Sequence, residues 1–113
     1  YVAAKFGVVG LTKSIAGELA DHGVTVNCVC PVGCPTTGMG EFVLDWKTKA
    51  TGLSSEQVKA ATAKDIPLGR NCSKADVVNA ILFFLQDSSA FITGTALDVD
   101  GGMTSTAGVP GTG

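Results

Sequence analysis

Two adjoining elements at the start of the chain constrain its fold more than any other feature. Apolar residues recur at steps of three and four along residues 1–22, in two stripes, which predicts one long helix. Gly23 follows as a helix stop, and residues 24–30 (VTVNCVC) form a short β-branched run that is apolar on both faces. A helix that leads directly into a strand covered on both faces predicts an α/β protein with a parallel sheet. The two stripes also predict a helix buried on two sides, one against the sheet and the other against a second helix, from a neighbouring segment or another subunit.

The segment after this strand is rich in proline and glycine and predicts a ligand-binding loop. Residues 31–40 follow the carboxyl end of the strand, which is where open α/β sheets bind their ligands. Residues 41–68 then form a long excursion of two short helices, the second beginning at a capping box of Ser54 and Gln57. This excursion predicts a substrate lid, and the alternative is a surface helical hairpin.

The remaining residues predict one more helix and one more strand. Ser73 and Asp76 form a second capping pattern, and the apolar spacing after them predicts a helix over 74–86. Residues 96–99 are predicted to be a last short strand, and the tail 105–113 is predicted to be flexible.

Composition excludes several classes of protein. A hydrophobic fraction of 45% and a charged fraction of 16% exclude intrinsic disorder, and 113 residues make one domain at most. A net charge of -2 provides no basic surface for nucleic acid, and no apolar run is long enough to cross a membrane. The cysteines form no C-x-x-C pair and the sequence has one histidine, which disfavours a metal site. Buried thiols in a reducing cytoplasm are therefore expected for Cys28, Cys30, Cys34 and Cys72.

A series of motifs gives the chain a family resemblance. Tyr1 and Lys5, in Y-V-A-A-K, would lie one turn apart on the same face of a helix, which is a weak signal alone. Further blocks follow in order, namely P-L-G-R at 67–70, S-K-A-D-V at 73–77, F-I-T-G at 91–94 and L-D-V-D-G-G at 97–102. Together they resemble the C-terminal half of the short-chain dehydrogenase/reductase family, over nearly all of residues 1–104.

The resemblance implies a Rossmann-like doubly wound parallel sheet, of which only the C-terminal half is present, in a fragment that begins at the catalytic tyrosine. It also implies NAD or NADP and hydride transfer between that cofactor and a secondary alcohol or ketone. Tyr1 would exchange the substrate proton. The Lys5 ammonium would lower the tyrosine pKa from its usual value of about 10 and would hold the nicotinamide ribose.

The loop after the first strand also matches the family. Its P-V-G-C-P-T sequence is similar to the family pattern P-G-x-V/I-x-T, with Val32 where the usual glycine stands. The resemblance implies cofactor contacts by Lys5, Pro31, Gly33, Cys34 and Thr36. Candidate substrate-lining residues in the lid are Met39, Phe42, Val43 and Trp46, and the aromatic ones could equally pack the lid onto the body.

Two functions follow as hypotheses. The first is an NAD(P)-dependent oxidoreductase that acts on a small-molecule alcohol or carbonyl compound and assembles as a homodimer or homotetramer, with the isolated 113-residue chain expected to be inactive. The alternative is a truncated, non-catalytic relative that acts only as an oligomerisation fragment. The family's glycine-rich phosphate-binding turn and its catalytic serine and asparagine are absent from these residues, and this favours the alternative. The presence of Tyr1 and Lys5 beside the lid loop favours the enzyme.

Overall fold

A computed structural model describes residues 2–35 and 38–105, except for the side chains of Val2 and Met39. In chain order the elements are α1 (Val2–Leu19), β1 (Cys28–Pro31), α2 (Gly38–Thr51), α3 (Ser55–Asp65), α4 (Lys74–Leu85) and β2 (Ala96–Val99). Within the described ranges β1 and β2 form a two-stranded sheet. Cys28 donates its N–H to Thr95 O and Val32 donates to Val99 O, and this constant offset makes the strands parallel. The predicted α/β class is confirmed.

The first helix ends where its sequence predicts. After α1 a single 3-10 turn covers Ala20–His22, and Gly23 adopts a left-handed backbone with φ 69°. The Gly23 N–H bonds to Ala20 O at 3.0 Å. Glycine terminates the helix because this conformation carries no steric penalty without a Cβ.

Within the described residues α1 is buried on one face, and the second contact, from a neighbouring segment or another subunit, stays a prediction. Thr12 and Ala16 are buried on one face, whereas Phe6 is 73% exposed and Leu11 is 60% exposed. The second apolar stripe is therefore an open surface in this structure.

The first strand is shorter than predicted and begins at Cys28 rather than at residue 24. The Val26 N–H bonds to the Thr93 hydroxyl at 3.0 Å instead of entering the ladder. Asn27 replaces two further ladder bonds with its side-chain amide, which donates to Ile92 O and accepts from the Thr95 N–H. Side-chain hydrogen bonds thus engage the backbone N–H and carbonyl groups that a longer strand would need for its ladder. The strand also includes Pro31, which was predicted to end it.

The chain divides into two compact units, of which the first contains residues 2–30 and 77–98. Its centre is the contact of α1 with the segment before β2. Lys13 Nζ donates to Gly94 O at 2.9 Å, and a Cβ placed on Gly94 would lie 3.5 Å from the Ala16 Cβ. Small residues at both positions allow this close approach.

The second unit contains residues 31–76 and 99–105, and its core is built around Ile66, which is 3% exposed, and Val58. Helices α2 and α3 contact each other, and α3 begins at the predicted capping box. Ser54 N donates to Gln57 Oε1 at 2.9 Å and Gln57 N donates to Ser54 Oγ at 3.2 Å. After α3 the chain is held to the turn beyond β2, because Leu68 N donates to Gly101 O at 3.1 Å.

A buried carboxylate organises the turn beyond β2. Thr104 donates both its hydroxyl and its N–H to Asp100, and Gly102 donates its N–H at 2.9 Å. These hydrogen bonds, led by the Thr104 hydroxyl, lower the pKa of Asp100 because they favour the charged carboxylate. Asp100 lies directly after β2, and its role there is to close the turn.

Candidate functional site

Lys5 lies in the first part of α1 and is half-exposed. Its ammonium acts electrostatically on Cys30, the last residue of β1 within the first unit. Burial raises the pKa of the Cys30 thiol, the neighbouring Cys28 adds to this, and the Lys5 ammonium acts in the opposite direction. The electrostatic influence of Lys5 on Cys30 places its ammonium in the neighbourhood of the carboxyl-terminal part of the strand. Cofactors of α/β proteins bind at this end of a strand.

Three of the residues singled out in the sequence fall partly or wholly outside the described part of the chain. Tyr1 and Thr36 lie outside the described residues, and so does the side chain of Met39. The roles given to them remain predictions.

The loop after β1 has a definite backbone path. Val32 N donates to Val99 O at 3.2 Å, and Gly33 then takes a left-handed conformation with φ 72°. Among the described residues, only glycines have a positive φ. The residue that must be glycine in this loop is therefore Gly33, and Val32 occupies an ordinary conformation that accepts a side chain.

The loop is pressed against the first turn of α2. A Cβ built on Gly40 would lie 1.7 Å from the Cys34 carbonyl oxygen and 2.9 Å from Pro35 Cα. Both are backbone atoms, so neither could yield to a side chain by changing rotamer. The absence of a side chain at Gly40 fixes how closely α2 approaches the loop.

Cys34 is buried at this point and meets a second thiol. Cys72 N donates to Gly33 O at 2.9 Å, and the two thiols are in hydrogen-bond contact. Burial raises the pKa of the Cys34 thiol to about 12, and the Cys72 thiol and the Asp76 carboxylate act in the same direction. Sequence reasoning missed this pair, since nothing local relates Cys34 to a residue after α3. All four cysteines are thiols, but only Cys30 and Cys34 are buried.

The start of α4 is stabilised by the predicted capping pattern and by an arginine. Asp76 N donates to Ser73 Oγ at 3.2 Å, and Ser73 N donates to Asp76 Oδ2 at 2.8 Å. Arg70 donates to both carboxylate oxygens, at 2.6 and 3.0 Å. The Arg70 side chain, followed by the Ser73 hydrogen bonds, holds the pKa of Asp76 well below its usual range. Arg70 thereby anchors the chain between α3 and α4.

The candidate lid residues form an open face of α2. Phe42 is 69% exposed and Trp46 is 62% exposed, and Val43 is exposed beside them. Their spacing places them on one side of the helix. Within the second unit neither aromatic side chain is buried, and the alternative that they pack the lid onto the body stays a prediction.

The described ranges hold no group of three or more His, Cys, Asp or Glu side chains arranged to bind a metal ion. None of the described helices is both long enough and apolar enough to cross a membrane.

Comparison with known proteins identifies the family. Residues 1–104 match the family model described as enoyl-(acyl carrier protein) reductase. A 2-(S)-hydroxypropyl-CoM dehydrogenase from Xanthobacter autotrophicus is 41% identical over 104 residues, which cover 92% of this chain and 38% of that protein. The chain thus spans less than two fifths of the length of this curated relative.

Solved structures agree with the sequence comparison. A short chain dehydrogenase family protein from Francisella tularensis superposes with a TM-score of 0.85 at 30% identity, over 93% of this chain and 43% of the other. An actinorhodin polyketide ketoreductase solved with NADPH has a TM-score of 0.80 at 35% identity, over 91% of this chain and 39% of the other. The parallel α/β arrangement is therefore that of these Rossmann-like enzymes, and the chain belongs to the short-chain dehydrogenase/reductase family.

Proposed function

We propose that the native polypeptide carrying these residues is an NAD(P)-dependent oxidoreductase that transfers a hydride between a nicotinamide cofactor and a secondary alcohol or ketone. The observation that carries the proposal is the match of residues 1–104 to this family, with Lys5 close enough to β1 to act electrostatically on Cys30. Relatives named as a dehydrogenase and as a ketoreductase with NADPH support the same class of reaction.

Tyr1 and Lys5 would carry the proton chemistry. Tyr1 would donate its phenolic proton to the carbonyl oxygen in reduction and would take it back in oxidation. A free tyrosine has a pKa of about 10 and is a poor base at neutral pH. A neighbouring ammonium favours the phenolate and lowers that pKa, which is the part assigned to Lys5.

The loop after β1 fits a cofactor. Gly33 leaves the backbone without a side chain at the carboxyl end of the strand, and a Cβ there would already be 3.0 Å from Ile66 Cδ1. Pro31, Gly33, Cys34 and Thr36 would hold the nicotinamide end of NAD or NADP, together with Lys5. When bound, the nicotinamide ring supplies or accepts the hydride. The chain's own residues orient that ring and exchange the proton.

The open face of α2 would contact the substrate. Phe42, Val43 and Trp46 expose apolar surface on one side of the helix, and Met39 has the matching sequence spacing. Burial of this surface on a substrate would favour a molecule with an apolar portion beside its carbonyl group. Residues 41–68 would then act as the lid.

Assembly of the polypeptide is also proposed, as a homodimer or homotetramer. Apolar side chains of α4 are exposed in the described chain, among them Val78, Leu82 and Leu85. Light scattering on the purified native polypeptide measures the molar mass in solution directly. A monomer over the working concentration range would contradict assembly without affecting the proposed reaction.

The first experiment is the intact mass of the native polypeptide, followed by assay of its nicotinamide oxidation with a panel of ketones and 3-oxoacyl thioesters. We expect turnover of at least one ketone, and a loss of about a hundredfold or more in kcat for Tyr1→Phe and Lys5→Met. Lys64→Met removes a comparable positive charge from the exposed last turn of α3 and is the matched control, with kcat expected to be unchanged.

Three outcomes contradict parts of the proposal. Turnover of enoyl thioesters alone would replace ketone reduction by double-bond reduction. Full activity of Tyr1→Phe would remove the assigned proton donor. A native mass near 11.4 kDa with no binding of NADH or NADPH would support the non-catalytic oligomerisation fragment instead.

A further inference from the structure

Two cysteines far apart in the sequence lie side by side in the second unit. Cys34 is in the loop after β1, and Cys72 precedes α4. The Cys72 N–H bonds to Gly33 O at 2.9 Å, so the two backbones are neighbours at this point. The thiols themselves are in hydrogen-bond contact. Backbone and side-chain contacts therefore agree that the sulfur atoms meet.

This placement suits a disulfide. A disulfide requires Cα atoms roughly 4.4–6.8 Å apart. Backbones joined by a hydrogen bond lie about 5 Å apart, and the residue bonded to Cys72 is Gly33, the direct neighbour of Cys34. Cys28 and Cys30 are the competing pair, since their side chains also contact each other. As alternate residues of β1 their Cα atoms are about 6.6 Å apart in extended chain, which is the upper end of that range. Closing that pair would bend the strand, whereas joining Cys34 to Cys72 leaves the strand in place.

We propose that Cys34 and Cys72 are a reversible oxidation site, at which a disulfide ties the loop after β1 to the segment that leads into α4. The oxidant is a low-molecular-weight disulfide of the glutathione class. The proposal is independent of the oxidoreductase activity proposed above, because it concerns only these two side chains and their surroundings.

The two cysteines have different parts in the reaction. Cys72 is the more exposed, and its thiolate attacks one sulfur of the small disulfide, forms a mixed disulfide and releases one thiolate. Cys34 then gives up its proton to solvent and attacks the Cys72 sulfur, which expels the second small thiol. Two protein thiols are oxidised to one disulfide, and one small disulfide is reduced to two thiols. Cys34 acts second because it is buried and its pKa is raised to about 12. Part of that rise comes from the Cys72 thiol, and this part is removed when the Cys72 sulfur enters the mixed disulfide.

The surroundings of the pair favour closure over a persistent mixed disulfide. The backbone bond between Cys72 and Gly33 and the close approach of Gly40 to Cys34 hold both cysteines from opposite sides. The resolving thiol is therefore already adjacent when the mixed disulfide forms. A thiol held in this way reacts as an intramolecular partner, at high effective concentration.

The test is peptide mapping of the native polypeptide after incubation with excess oxidised glutathione and blocking of remaining thiols with N-ethylmaleimide. Trypsin releases Cys72 in the peptide 71–74 (NCSK) and Cys34 in the peptide 14–47. We expect these two peptides joined, with a mass two hydrogen atoms below their sum, and separated again by dithiothreitol. Fragmentation at the bond before Pro31 separates Cys28 and Cys30 from Cys34 and so identifies the partner.

Variants sharpen the result. Cys72→Ser should abolish the joined peptides, and Cys28→Ser should leave them unchanged; circular dichroism checks that each variant is folded. The wild-type map decides the question even where a variant fails to fold. The proposal is overturned if NCSK is joined to Cys28 or Cys30, if glutathione remains on Cys72, or if all four thiols are still alkylated after oxidation.

Discussion

Replacement of Gly101 by alanine tests how tightly the second unit is packed at the end of β2. Gly101 has φ 61°, and a Cβ there would lie 2.5 Å from Ile66 Cγ2, about 0.9 Å inside the 3.4 Å at which ordinary contact begins. The left-handed backbone costs alanine roughly 1–2 kcal/mol and overpacking costs about 1–3 kcal/mol. The lower entropy of the unfolded chain returns about 0.4–1 kcal/mol. We therefore expect Gly101→Ala to lower the free energy of unfolding by about 1–5 kcal/mol.

Gly52→Ala is the matched control, because Gly52 has φ 72° and a Cβ added there would meet no heavy atom within 4 Å. It should show the backbone cost alone, about 1 kcal/mol or less after the entropy gain. The difference between the two variants therefore measures the contact with Ile66. Urea denaturation of the native polypeptide, followed by far-ultraviolet circular dichroism, gives both midpoints and slopes.

A second background checks the cause. Ile66→Ala removes the Cγ2 atom at a cost of its own of about 2–5 kcal/mol, since the side chain is 3% exposed. In that background Gly101→Ala should cost no more than Gly52→Ala, which is a coupling of about 1–3 kcal/mol. Equal losses for Gly101→Ala and Gly52→Ala in the parent, or an unchanged loss in the Ile66→Ala background, would refute the contact argument.

Three further predictions concern other contacts. Asp76→Asn should lower the free energy of unfolding at neutral pH, because the pKa of Asp76 is depressed in the folded state. The stability difference from the parent should be full above the ordinary carboxyl pKa of about 4 and should vanish as pH falls through the folded-state pKa. A stability difference that does not change with pH in urea titrations would contradict this. Asn27→Ala should cost about 1–3 kcal/mol, because it leaves the bridged backbone groups without partners, while Asn79→Ala on the exposed side of α4 should be nearly neutral by thermal denaturation. Gly40→Ala should weaken binding of NADH or NADPH by displacing the loop, whereas Gly38→Ala, which meets nothing within 4 Å, should not, and equal affinities in fluorescence titration would contradict this.

Local signals in the sequence predicted much of the secondary structure. The capping box of Ser54 and Gln57 forms, Gly23 ends the first helix, and the last strand covers Ala96–Val99 as predicted. Each of these depends on residues within one turn of each other, or on a short pattern of alternating side chains. Such features depend on residues that are close together in the sequence, so the sequence alone predicts them.

Contacts between distant residues were not predictable in the same way. The start of β1 depends on Asn27 meeting a segment more than sixty residues later, and the buried face of α1 depends on which residues happen to reach it. The pairing of Cys34 with Cys72 is of the same kind. For the candidate site, motif order identified Lys5 and the loop, but only the backbone showed that Gly33 carries the left-handed conformation.

The close approach of Gly40 to Cys34 has a mechanical consequence for the proposed lid. Because backbone touches backbone there, the loop and the first turn of α2 must travel as one piece. The other end of the excursion is equally held, by the hydrogen bond of Leu68 to Gly101. Rotation is left to the junction of α2 and α3, where Gly52 has a left-handed backbone in open space. Any opening of the lid would therefore change the angle between α2 and α3 at Gly52, and the loop after β1 would move together with α2.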